Sequence, residues 1–89
     1  MSAVTIEELQ RDELAMSVAR AVALANETAA SHGTDPATSL VTITEETTVG
    51  GRCWQVHYGP RDYVKRRGGD LYVTIDEKTA AVSRVVRGQ

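Results

Sequence analysis

Cys53 and His57 are the residue types of a nucleophile and its base, and they lie four positions apart. Thiol chemistry needs the two within about 3 Å of each other. The segment around them alternates apolar and polar residues, the pattern of a strand, and on a strand four residues span about 13 Å. The spacing therefore assigns no catalytic residue, and Cys53 is expected to be a small, partly buried thiol. The two histidines, His32 and His57, fall far apart with no closely spaced ligand set, which argues against a metal site and leaves no cofactor implied. Glu45 and Glu46 are adjacent in an extended segment and should point to opposite faces, so they form no acid–base pair.

The segment with the strongest binding character spans 59–69. Arg61, Lys65, Arg66 and Arg67 surround Tyr63 between two glycine-bearing ends. Arginine favours bidentate contact with carboxylates or phosphates. Nucleic-acid binding usually requires a wider basic footprint on a more basic chain. A protein partner with an acidic patch fits better. Arg61, Tyr63, Lys65, Arg66 and Arg67 are accordingly the candidate partner contacts. His57 and Tyr72 are expected to flank them, on a sheet face that also carries Gln55 and Thr74. The competing reading is a solvated loop beside an ordinary β-surface.

The elements that must position these residues come in a simple order. Thr5-Ile6-Glu7-Glu8 has the spacing of a capping box, and neither proline nor glycine follows until Gly33. The pattern predicts one helix over 6–32, closed by Gly33, with His32 at its negative end. Leu14, Val18, Ala21, Val22, Ala25 and Ala29 fall on one stripe, with Leu9, Met16 and Leu24 nearly opposite. Strands follow at about 39–47, 52–58, 70–76 and 80–87, separated by turn signals. Val41, Ile43, Trp54, Val56, Tyr58, Leu71, Val73 and Ile75 form one apolar face, which should receive the helix. Thr42, Thr44, Gln55, His57, Tyr72 and Thr74 form the other. In the last strand Val82 and Val86 compete with Ala81, Ser83 and Val85 for the inside.

This order predicts an α+β fold: one long N-terminal helix on one face of a three- to four-stranded antiparallel sheet. The 89 residues suffice for one domain spanning 1–89 and one core. A domain of this size often gains stability from a partner or from self-association.

Net charge is −2, unevenly distributed. Residues 1–51 hold eight acids against two bases, and residues 52–89 hold eight bases against four acids. Such asymmetry can steer a charged partner or bring an acidic helix surface beside a basic loop within the chain. The single cysteine precludes an intrachain disulfide and suggests a reducing compartment. With neither a signal-peptide pattern nor a membrane-length apolar run, a soluble cytoplasmic protein is expected, without membrane association.

Trp54 in an alternating strand, the Arg61-Asp62-Tyr63 segment after it, and Val73-Thr74-Ile75-Asp76 leading through a turn to the last strand resemble the YrhB-type bacterial domains. These are grouped with the immunity protein 35 family of polymorphic toxin systems. The helix-then-meander order also resembles cystatin-like and PepSY-like domains. The chain departs from the family in a shorter, more basic stretch before the third strand. It also has Ala80-Ala81 where relatives tend to place a glycine. The resemblance implies a non-catalytic binding protein that neutralises a toxin, or a small chaperone-like relative. Two other readings stand beside it: a small-ligand binder or minor enzyme with a pocket between the layers, and a homodimer whose sheets pair or pack.

Overall fold

The computed structural model describes residues 3–61 and 69–88. Two helices, α1 (Ile6–Arg11) and α2 (Glu13–Ser31), lead through a 3₁₀ turn (Pro36–Thr38) into four strands. These are β1 (Ser39–Thr48), β2 (Gly51–Pro60), β3 (Leu71–Asp76) and β4 (Ala81–Arg87). The strands form one antiparallel sheet in the order β1-β2-β3-β4. The expected α+β architecture is therefore the observed one, with differences in where the helix breaks and what it covers.

The helix expected over 6–32 is interrupted at Asp12. Thr5 caps α1 as anticipated, its Oγ1 accepting the Glu8 N–H at 3.1 Å. Asp12 then takes an extended conformation (φ −82°, ψ 102°), and its carboxylate accepts the Ala15 N–H at 3.0 Å. A short acidic side chain bonds its own following backbone better as an N-cap than it serves inside a helix. Asp12 thus starts α2 afresh. At the far end the Gly33 N–H reaches Ala30 O and the Thr34 N–H reaches Ala29 O, with Gly33 at φ +80°. This is a Schellman closure, which needs a left-handed residue at that point.

The apolar stripe is shifted from the one read along the chain. Ser17, Ala21, Ala25 and Ala29 are the buried residues of α2, and Leu24 packs beside them together with Val18. Leu14, expected inside, is 53% exposed. The alanines have no side chain beyond Cβ, so α2 sits close against Trp54, Val56, Tyr58, Leu71, Val73 and Ile75. Two polar bonds register the layers. The Trp54 indole N–H donates to Ser17 Oγ at 3.0 Å, and the Tyr58 hydroxyl donates to Asn26 Oδ1 at 2.7 Å. Burying an indole or a phenol requires such partners.

Helix α2 contacts β2, β3 and β4. It does not shelter β1 as expected: Val41 and Ile43 share the helix-side face but remain 38% and 39% exposed. A single helix about 10 Å wide covers roughly two strands at 4.8 Å spacing, with partial cover of a third. The strip on β1 lies beyond its reach.

The last strand escapes the simple alternation. A register shift opposite Thr74 and Ile75 pairs Val82 with Ile75 and Val85 with Val73, so both valines face the helix side. Ser83 is the extra residue, its hydroxyl donating to Thr74 O at 3.2 Å. A bulge of this kind restarts the period of two. Before it, the β3–β4 turn holds Ala80 at φ +53°, among the described residues the one non-glycine with positive φ. A left-handed alanine costs about 1–2 kcal/mol. Ala80→Gly is expected to raise stability by about 1 kcal/mol, read as a higher urea midpoint at unchanged slope; an unchanged or lower midpoint would refute the strain.

Candidate functional site

The sheet face opposite α2 is crossed by rows of residues that the pairing brings side by side. One row runs Thr42, His57, Tyr72, Val86 from β1 to β4, and the next runs Thr44, Gln55, Thr74, Arg84. No helix or strand among the described residues packs on this face.

The first row contains an ordered cluster. His57 and Tyr72 stand opposite each other on neighbouring strands, and their rings stack with centroids 4.5 Å apart and planes 8° from parallel. The His57 Nε2–H donates to Asp70 Oδ1 at 3.1 Å, an ion pair whenever the imidazole is protonated. The side chains of His57 and Asp70 are about one-fifth exposed, at 23% and 19%. Asp70 is itself anchored by its carbonyl, which accepts the Gly88 N–H at 2.8 Å. A Cβ on Gly88 would lie 3.2 Å from both the Tyr72 ring and the Asp70 Cβ. The bare glycine thus leaves room for the tyrosine and the aspartate together. Stacking plus a charge-assisted hydrogen bond fixes the orientation of both rings before any partner arrives.

Asp70 and Gly88 are the members of this cluster that sequence reasoning missed. In the sequence Asp70 is marked only as the start of a strand. The usable signal was its position: one residue before Tyr72's neighbour Leu71, at the mouth of a connection whose other end, Arg61, follows His57 by four residues.

The remaining candidates divide in two. Arg61 is exposed immediately after β2, at the end of the sheet where the His57 row lies. Tyr63, Lys65, Arg66 and Arg67 lie outside the described residues. Cys53 is buried on the open face, opposite Glu46 and Asp76, and His57 is committed to Asp70. The thiol and the imidazole are not paired. Among the described residues, no group of three or more His, Cys, Asp or Glu is placed to hold a metal ion. No described helix is long and apolar enough to cross a membrane.

A second feature lies at the C-terminal end of α2. A cleft of about 340 Å³ is lined by Thr34, Asp35, Ser39, Gly59, Gly69 and Arg87, among others. Arg87 is already engaged there, donating to His32 O at 2.8 Å and so satisfying a carbonyl at the negative helix end.

Compared with protein-family models, with curated proteins and with solved structures, the chain gives no match.

Proposed function

We propose that the chain is a non-catalytic protein-binding module that uses its open sheet face and the basic 61–67 segment together. The observation that carries this reading is the stacked, Asp70-tethered His57–Tyr72 pair, part-exposed on a face where no described helix or strand packs. Rigid aromatic groups with a polar edge lose little entropy on binding and recur at interface hot spots. Arg61 at the end of β2 and Gly69 before β3 place both ends of the basic connection beside this row. A partner lying on the sheet would therefore meet Arg61 at its edge. An acidic partner surface is the chemistry this arrangement recognises. The particular form favoured by the sequence resemblance is an immunity-type protein that occludes a toxin.

The test is co-purification with the product of a neighbouring toxin-like gene, followed by titration of the purified pair. His57→Ala with Tyr72→Ala is expected to weaken binding at least tenfold, about 1.4 kcal/mol. Charge reversal at Arg66 and Arg67 should steepen the loss at low salt. Full affinity in both variants would exclude this face.

The cleft beside Arg87 supports a second reading, a small polar-ligand binder. Its volume sits at the low end for ligand pockets, and its lining is polar where most pockets are largely apolar. A thermal-shift screen in which one class of small anions or carbohydrates raises the midpoint consistently would favour it over the protein-binding reading.

A further inference from the structure

The two edges of the sheet are built differently. Strand β4 is seven residues long, carries Arg84 and Arg87, and is kinked by the bulge at Ser83. Bulges and basic side chains are devices that keep an edge from pairing with another chain. Strand β1 has neither. It runs ten residues in unbroken register with β2, from Ser39 opposite Pro60 to Thr48 opposite Gly51. It contains no lysine, arginine or proline. Among the described residues no strand pairs with its outer edge, which presents a row of backbone donors and acceptors. Beside that row lie Val41 and Ile43, which α2 leaves exposed.

The side-chain order along β1 points to what covers it. Leu40-Val41-Thr42-Ile43-Thr44 is self-complementary about Thr42. We infer that β1 pairs antiparallel with β1 of a second copy about a two-fold axis at Thr42, joining two four-stranded sheets into one of eight strands.

Geometry restricts the register. Such an axis must be perpendicular to the sheet, which puts both α2 helices on the same side. Odd-numbered residues of one copy then oppose odd-numbered residues of the other. Centring on Thr42 sets Val41 against Ile43 of the partner subunit twice over, and the two Thr42 side chains meet on the open face. Each β-branched pair closes apolar surface that the single chain leaves wet. Centring on Ile43 instead would oppose Val41 to a glutamate. About Thr42, Glu45 opposes Ser39 and Glu46 opposes Thr38, so no acidic residues face each other. Glu45 is already neutralised within its own chain by Arg52, whose Nε lies 2.6 Å from Oε2. A parallel pairing would stack the glutamates in register. The arrangement is isologous and closes at two copies, because the other edge of each sheet is the blunted β4.

The inference rests on β1 alone and stands apart from the open-face reading. Sedimentation equilibrium across a dilution series is expected to show a species of about 19 kDa, twice the 9.6 kDa chain, dissociating on dilution. Val41→Lys with Ile43→Lys places four charges in the apolar strip and should leave only the monomer mass, with an unchanged circular-dichroism spectrum. In a C53A background, Thr42→Cys should form a covalent dimer on oxidation while Leu40→Cys alone does not, because Leu40 opposes Thr44 of the other copy. The cysteine result stands even if the lysine variant fails to fold. A wild-type chain that sediments at the monomer mass at every concentration overturns the inference. A dimer that survives both lysines, or cross-linking of Leu40→Cys as readily as Thr42→Cys, does the same.

Discussion

Leu71→Ala is expected to lower the unfolding free energy by about 2–5 kcal/mol, which would remove a large share of the roughly 4–13 kcal/mol available to a domain this small. Leu71 is completely buried, at the start of β3, in the layer between sheet and helix. Truncation loses the transfer free energy of the removed atoms and leaves a cavity. The surrounding structure cannot easily close that cavity. The buried helix residues of the cluster, Ala21, Ala25 and Ala29, have no side chain that could extend into the gap, and the neighbours in the cluster include Tyr58 and Val73, both fully buried. The companion measurement is Leu40→Ala on the opposite face, where the side chain is 46% exposed. That substitution is expected to change stability by less than about 0.5 kcal/mol. Chemical denaturation of both variants checks the layer assignment. Equal losses, or a larger loss at Leu40, would mean that the helix lies on the wrong side of the sheet.

The second large effect is alkaline. Burial pushes the Tyr58 phenol up from 10.0 to about 12, because the phenolate would be stripped of water beneath α2. The neutral form is also the one that can donate to Asn26 Oδ1. The folded state therefore holds this proton more tightly than the unfolded state, whose tyrosine titrates near 10. The resulting stability is fully present below pH 10. It is lost as pH rises from 10 toward 12, and the full difference amounts to about 3 kcal/mol. Tyr58→Phe deletes the titrating group. Its own cost at neutral pH is about 1 kcal/mol for the lost hydrogen bond. Urea midpoints measured from pH 9 to 12 should fall more steeply for the wild type than for Tyr58→Phe, so that the two curves converge or cross. Parallel curves would show that the phenol titrates alike in both states.

Both effects depend on the same layer, and most of that layer was readable along the chain. The inward set Trp54, Val56, Tyr58, Leu71, Val73 and Ile75 follows from alternation alone, since a period of two cannot place these residues anywhere but on one face. The capping box at Thr5 and the stop at Gly33 were legible because each depends on residues within one turn of helix. The break at Asp12 was not anticipated. A single acidic residue inside a helical pattern is compatible both with continuation and with a new cap, and packing decides between them.

The functional cluster was half legible. His57 and Tyr72 were placed on the outward face by alternation. Their stacking required the β2–β3 register, and Asp70 required the further step that brings the mouth of the connection back to His57. Those contacts join positions 13 and 15 residues apart, and only strand pairing sets which residues meet. The bulge at Ser83 shows the same limit in the fourth strand. The alternation there fits two assignments, and the structure resolves it by letting both valines face the helix side.

By itself, then, the chain order determined the α+β class, the direction of the apolar face in the first three strands and the ends of the helical region, because these depend on local period and capping. Tertiary structure alone decided that α2 shelters β2 and β3, covers β4 only in part and leaves β1 exposed, and that His57 is tethered to Asp70. The first is a matter of the width of one helix against four strands. The second is a matter of register, and neither quantity is carried by any short stretch of sequence.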